Sequence, residues 1–458
     1  MEQDLVHDFA RTIADTRYES LPPAAVEAAK KSVLDTFGCI LAASGTEPAA
    51  ARVVEVAREG GGKEQSTILG FGGKAPAVWA AFANGAMAHC LDFDDRTPWG
   101  AHAGSSLMPA AFALAEARGG ISGKTMISAI AAAQDLFVRL RCNVNWRQDW
   151  NLSNVLGSMS AAGAASHVLG LDRERTAHAI GIGSMHSAGT MELIFGTGSD
   201  LRGIYAGFSA KGATLAALMA EKGLSGIGTL LEGKAGLFKV YFGGGYDREK
   251  MLTRLGQDYL GAGMLYKPWP AVGISHTYIH AALELMKEHG LRPEQVDRVE
   301  AFVGDFQKEM SHPLESRRAP ASAVDAKFSL PFILAIAVCR GGVGVADFSA
   351  HALKDPQVLA MAERVVPVED SAADWKGKSP VGRVRIVTRD GRSFERRGDK
   401  VPGSPDAPLD WDQLAAKFRG CARASADPLS DDRIAAVVDL ARNFEQLGDV
   451  TQFVRACG

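Results

Sequence analysis

VRIVTRDGRSFER, residues 384–396, is the stretch on which the fold reading turns. Val384 to Val387 alternates apolar and charged side chains, Thr388-Arg389-Asp390-Gly391 follows, and Ser393 to Arg396 alternates again. Asp-Gly between two such runs signals a β-hairpin. Working outward, Arg298 to Val303 (RVEAFV) reads as another strand, with helical stretches at His276 to His289 and Ser329 to Cys339 among the strands. Pro402-Gly-Ser-Pro-Asp-Ala-Pro408 reads as a loop. Residues 263–410 are therefore expected to form a smaller α+β domain.

The chain on either side has a different texture. Pro22-Pro23 opens a segment in which Val26, Val33, Leu34, Phe37, Ile40 and Leu41 recur at helical spacing. Helical runs follow at Ala77 to Cys90, Leu107 to Ala117, Gly123 to Leu140, Val155 to Leu169, Arg173 to Met185 and Tyr205 to Lys222. The pattern returns at Trp411 to Arg419 and Asp431 to Phe444. The expectation is a mainly α protein with an α+β part, its large helical domain built from residues 1–262 and 411–458. Glycine is abundant, 50 of 458 residues, and much of it sits among Ala and Ser, which points to closely packed helices.

Charge excludes some functions. Fifty Lys and Arg against 53 Asp and Glu give a formal charge of −3, so nothing drives binding to nucleic acid or an acidic membrane surface. The six cysteines are scattered and form no Cys-x-x-Cys pair, as expected of reduced thiols in a cytoplasmic protein. The polar start MEQDLVHDFARTIADTRYE carries no secretory pattern, and SLPFILAIAVC (329–339) is too short to span a bilayer.

The sequence holds no Walker A lysine loop, no Gly-x-Ser-x-Gly and no His-Glu-x-x-His. Three polar clusters remain. Asp92-Phe-Asp-Asp95-Arg96, with His102 and Gly104-Ser105-Ser106, lies between apolar helical runs. It can hold an acid/base pair, a charged substrate or a metal, or can simply cap helices. The glycine-rich loop before Arg202 and Tyr205 delivers both at a helix start, where exposed amides and a guanidinium attract carboxylates. Tyr266-Lys267-Pro268-Trp269-Pro270 holds Lys267 on a rigid extended segment. His276 and His280 follow one helical turn apart, a spacing that suits a metal but lacks a third ligand nearby. Ala326 to Phe332 reads as a junction feeding a buried helix.

Taken in order, LDTFGCILAAS (34–44), FANGAMAHCLDFDD (82–95), the His102 segment before LMPAAFALAE, the segment 196–226, YKPWPAVGISHTYIHAALEL (266–285), AKFSLPF (326–332) and WDQLAAKFR (411–419) resemble the MmgE/PrpD family over nearly the whole chain. That family spans 2-methylcitrate dehydratase, cis-aconitate decarboxylase and iminodisuccinate epimerase. The resemblance implies a helical domain from both chain ends, an α+β lid, an active site in the cleft between them, and usually a homodimer. It implies small di- and tricarboxylate substrates and chemistry without metal, nicotinamide or haem.

The shared chemical task is removal of a proton next to a carboxylate, which builds negative charge that cations must stabilise. Carried over, Asp92, His102, Lys267 and His276 match family positions. Asn151 stands where some members carry His, Arg202 where they carry Lys, Tyr205 where many carry His, and Arg96 where a small residue is usual. An arginine clamps a carboxylate but cannot act as a base. The expected catalytic set is therefore Lys267 and His102 as base and acid in either order, Tyr205 as a further acid, and Asp92 orienting His102. Arg202, Arg96, His276 and Asn151 are expected to hold the substrate, with no metal and no cofactor. The default reaction is dehydration of a small polycarboxylate by a lyase. The alternatives are epimerisation of a dicarboxylate such as iminodisuccinate, decarboxylation of a cis-aconitate-type acid, and carboxylate binding without catalysis.

Overall fold

A computed structural model describes residues 3–196, 199–376 and 381–458. Thr197 and Gly198 of the glycine-rich loop thus lie outside the described residues. The helical part contains α1 (Pro23–Thr46), α2 (Ala77–His89), α3 (Gly104–Arg118), α4 (Gly123–Cys142), α5 (Leu152–Val168) and α6 (Leu201–Glu221). Pro23 occupies the first turn of α1, where its missing N–H costs nothing.

Small side chains explain how so many helices stack deeply. Every residue of α5 is buried, which a helix tolerates only when no face must meet water. Where α2 and α6 cross, the backbones nearly touch. A Cβ on Gly85 would lie 3.1 Å from the Ala206 carbonyl oxygen, and one on Gly207 would lie 2.6 Å from that of Phe82. Alanine at Gly207 would force the two helices apart.

The second part contains α7 (His276–Glu288), β1 (Val296–Val303), α8 (Leu330–Arg340), β2 (Val365–Glu369), β3 (Arg383–Thr388) and β4 (Ser393–Arg397). The sheet order is β2-β1-β3-β4, with β1 parallel to β2 and the other pairs antiparallel. Val299 stands opposite both Val365 and Ile386, and Ile386 opposite Phe394. The hairpin at Asp390-Gly391 is present, closed by Gly391 N–H donating to the Thr388 carbonyl at 2.9 Å. Strand β2 is an addition to the sequence reading. Pro367 interrupts its pattern, and a proline fits a strand only at a sheet edge, where β2 lies.

Buried apolar side chains form two main clusters among the described residues. The larger draws on residues 5–266 and again on 409–457, and the second on 271–386. The C-terminal helix α9 (Trp411–Arg423) rejoins α1: Lys417 Nζ donates to Asp35 Oδ1 at 2.6 Å and to the Phe93 carbonyl at 2.5 Å. A buried ion pair, Lys327 with Glu47, ties the segment before α8 to the end of α1, and Lys327 also donates to the Cys90 carbonyl at 3.2 Å. The junction read at Ala326 to Phe332 is thus a structural seam. Among the described residues no helix is long and apolar enough to cross a membrane.

Candidate active site

The site begins where α2 ends. His89 is its last residue, and the chain then turns through Asp92, whose φ of 47° is left-handed for a residue with a side chain. Such strain is held only where the surroundings fix it. Asp92 N–H donates to the His89 carbonyl at 2.8 Å. Four residues on, Arg96 pairs with Leu265 through both backbone bonds, at 2.8 and 2.9 Å. That short ladder sets Lys267, two residues further, beside Asp92. Lys267 Nζ lies 2.6 Å from Asp92 Oδ1 and 2.7 Å from the Asp92 carbonyl oxygen, and both side chains are buried.

The loop from Thr97 to Ala101 folds back on itself and brings His102 to the same spot, its own N–H donating to Ser153 Oγ at 3.0 Å. His102 Nδ1 lies 2.6 Å from the Asp95 carbonyl oxygen. A carbonyl only accepts, so Nδ1 carries the hydrogen and Nε2 keeps its lone pair. Nε2 is 3.6 Å from Asp92 Oδ1. Asp94 sits behind, 3.0 Å from His89 Nδ1 and 3.4 Å from His102 Nδ1. Asp95 accepts the Gly104 N–H at the start of α3 at 2.9 Å. A Cβ on Gly104 would come within 2.7 Å of the same carboxylate.

Burial governs the protonation states. It pulls the His102 imidazole down to about 4, with Lys267 and His89 adding to the effect and Asp94 opposing it. Burial alone would push the Asp94 carboxyl up, but the imidazoles of His102 and His89 hold it below the usual carboxylate range. Asp95 goes the other way, to about 8, through burial and the neighbouring Asp94 and Asp35. Burial, then Asp94, raises the Tyr205 phenol well above its ordinary value, and the nearby Ser153 and Asn151 side chains oppose the rise. At neutral pH the site therefore offers a neutral imidazole with a free nitrogen and a phenol that keeps its proton, beside the Lys267–Asp92 ion pair.

These groups face one cavity of about 160 Å³. Six residues expected from the sequence line it: Asp92, Arg96, His102, Asn151, Tyr205 and Lys267. Asn151 does so as the N-cap of α5, accepting the Asn154 N–H at 3.3 Å and leaving its buried Nδ2 without a partner. Two expected residues are not on the wall. Arg202 turns to the backbone, its Nη2 2.9 Å from the Gly196 carbonyl and its guanidinium stacked 4.2 Å from the Phe328 ring centre, while its buried Nη1 has no partner. His276 Nε2 donates to the Ala271 carbonyl at 3.1 Å, and its ring packs on Trp269. Both expected contacts are thus replaced by backbone bonds.

Residues passed over by the sequence reading complete the wall: His89, Ser153, Arg141 and an aromatic group. His89 was hidden inside an apolar run, and Arg141 at a helix end carries no local signal. Four ligand-type groups, His89, Asp92, Asp94 and His102, place one donor atom each within 4.8 Å of the others. As arranged, Asp92 is engaged with Lys267 and Asp94 with His89, while His102 Nε2 is free.

Residues 7–249 match the model of the MmgE/PrpD N-terminal domain, and residues 269–443 that of the MmgE/PrpD C-terminal domain. Cis-aconitate decarboxylase from Mus musculus is 24% identical over 99% of this chain and 93% of its own length. The Homo sapiens protein of the same name is 25% identical over 98% and 93%. A 2-methylcitrate dehydratase from Cupriavidus necator is 24% identical over 93% of this chain and 92% of its own.

Proposed function

The chain belongs to the MmgE/PrpD family, whose relatives named here are dehydratases and decarboxylases, and from that premise we propose that it is a cofactor-independent lyase which removes a proton next to a carboxylate of a small acid. The observation that carries this reading is the His102 Nε2 lone pair held beside the Lys267–Asp92 pair on the wall of one cavity. His102 Nε2 takes the proton from the carbon. Lys267 and Arg96 stabilise the charge that spreads into the carboxylate. Tyr205 protonates the departing hydroxide, water leaves, and the imidazolium returns its proton to the phenolate, so the site is restored. Asp92 holds the Lys267 ammonium in place, and Asp94 sits behind the imidazole and steadies its charge after transfer.

Decarboxylation is the second reading, favoured by the full-length likeness to the decarboxylases. There the carbon–carbon electron pair stays on the substrate as carbon dioxide leaves, and the same groups supply the proton. Incubation with 2-methylcitrate, citrate and cis-aconitate in deuterated water, followed by NMR, separates the two. Deuterium at the carbon next to a carboxylate together with an alkene product is expected for water loss. Carbon dioxide release with deuterium uptake marks decarboxylation. Neither exchange nor product across a broad panel of acids would leave carboxylate binding alone.

We also propose that residues 263–410 act as a lid and that two copies of the chain pair. Leu201, Phe208 and Leu215 recur every seven residues along α6 and remain 50%, 38% and 39% exposed, a stripe that supports burial against a second helix. Phe208→Asp is expected to halve the mass seen by sedimentation; an unchanged mass would remove this face from the interface.

A further inference from the structure

The cavity has two unlike ends, which meet where the Arg141 guanidinium lies 5.0 Å from the Trp146 ring centre. At one end the cations are few. Arg96, Arg141 and Lys267 reach the wall, and Lys267 is already neutralised by Asp92 at 2.6 Å. Arg202, expected there from the sequence, is not on the wall: it packs on the Phe328 ring and bonds the Leu193 and Gly196 carbonyls. His102 is kept neutral by burial and, with its Nδ1 hydrogen on the Asp95 carbonyl, offers the Nε2 lone pair rather than a charge. A buried carboxylate without a cation or several donors is costly to desolvate. Arg96, and Arg141 with one nitrogen already on the Trp99 carbonyl, therefore suit one or two carboxylates better than three.

At the other end the wall is aromatic. Trp146 comes from the loop after α4, Phe306 from the short helix that follows β1, and Trp375 from the loop after β2. The Trp146 and Trp375 ring centres are 6.5 Å apart and edge-on, and Phe306 lies 5.8 Å from Trp375. Met191 and Ile194 continue the apolar surface. Three segments distant in sequence converge on one face, bordered by the Arg141 guanidinium, which lies 5.0 Å from the Trp146 ring centre. None of the three rings is fully buried, so each keeps apolar surface for a ligand to cover.

We propose that the substrate is an acid with one or two carboxylates and an apolar arm about the size of an aromatic ring, rather than a compact tricarboxylate. The acid end lies on Arg96, Arg141 and Lys267 within reach of His102, and the arm lies among Trp146, Phe306 and Trp375. This deepens the lyase reading and rests on it for the orientation of the acid end, but the preference itself is a property of binding. It is tested without turnover. Calorimetry on the full chain compares tricarballylate, with three carboxylates and no arm, succinate, and benzylsuccinate, which adds a phenyl arm to two carboxylates. Benzylsuccinate is expected to bind about tenfold or more tighter than either of the others, as burial of a ring allows. Trp146→Ala should erase about that factor for benzylsuccinate while succinate changes less than about twofold. Trp375→Leu, which keeps an apolar side chain, gives the same comparison should the first variant fold poorly. Tricarballylate binding as tightly as benzylsuccinate, no measurable benzylsuccinate binding, or equal losses for both acids in the variants would overturn the proposal. A preference for the arm with no exchange or product from any acid would instead remove the lyase reading and leave this one standing.

Discussion

Replacing Lys267 with methionine is expected to lower the rate of deuterium exchange and of product formation by about 10³-fold, within the range for loss of a group that bears on the transition state. The side chain is 1% exposed and its ammonium touches both the Asp92 carboxylate and the Asp92 carbonyl. Methionine keeps the length and apolar stem but removes the charge that stabilises the developing carbanion. It also strands a buried carboxylate, which typically costs about 3–5 kcal/mol of stability. The single variant therefore mixes two effects, and a second one separates them. Asp92→Asn/Lys267→Met removes both charges, so much of the lost melting temperature should return while activity stays low. Single and double variants both turning over within about tenfold of the parent would take Lys267 out of the chemistry.

The same residue shows how far the sequence could be read. Its approach to Asp92 and His102 depends on a two-bond ladder between Arg96 and Leu265, a pairing 169 positions apart that no local pattern encodes. Family resemblance supplied it, while residue chemistry alone left three separate clusters. Where local signals suffice, the reading held. Asp390-Gly391 marked a real hairpin, and the apolar periodicity marked α2 to α6 to within a few residues. Strand β2 was lost because Pro367 breaks the pattern that would reveal it. Arg202 and His276 fall away from the cavity for a different reason. Residue type gives the chemistry a side chain can do, whereas its direction is set by competing backbone acceptors, here Leu193, Gly196 and Ala271. The aromatic face escaped notice because Trp146, Phe306 and Trp375 lie in three separate segments and mean nothing until folded together.

His102→Asn carries the other large expectation, a loss of about 10²–10⁴-fold, because the amide can keep the hydrogen bond to the Asp95 carbonyl but has no basic nitrogen. A rate loss alone does not distinguish a base from a structural residue, and the pH profile does. The groups that face the imidazole are Asp94 and Asp92, which favour its protonated form, and Lys267 and His89, which oppose it. Burial exceeds the carboxylates' pull, and the balance puts the group at about 4 instead of 6.5. The base is thus free at every pH above that value. The parent rate should be level from about pH 5 through neutrality and fall tenfold per unit only below about 4, provided the fold persists. Stability moves in the matching sense. The unfolded imidazole binds its proton near 6.5 and the folded one near 4, so acid favours unfolding progressively between those values and no further below them. His102→Asn should remove the fall of the residual rate near 4 and lessen the melting-temperature decline between 6.5 and 4, part of which stays with the other buried histidines, His276 and His167 first among them. An acid limb in the parent centred near 6.5 would mean that water reaches the ring and that it works as an ordinary exposed histidine. An unchanged limb in the variant would assign the titration to another group.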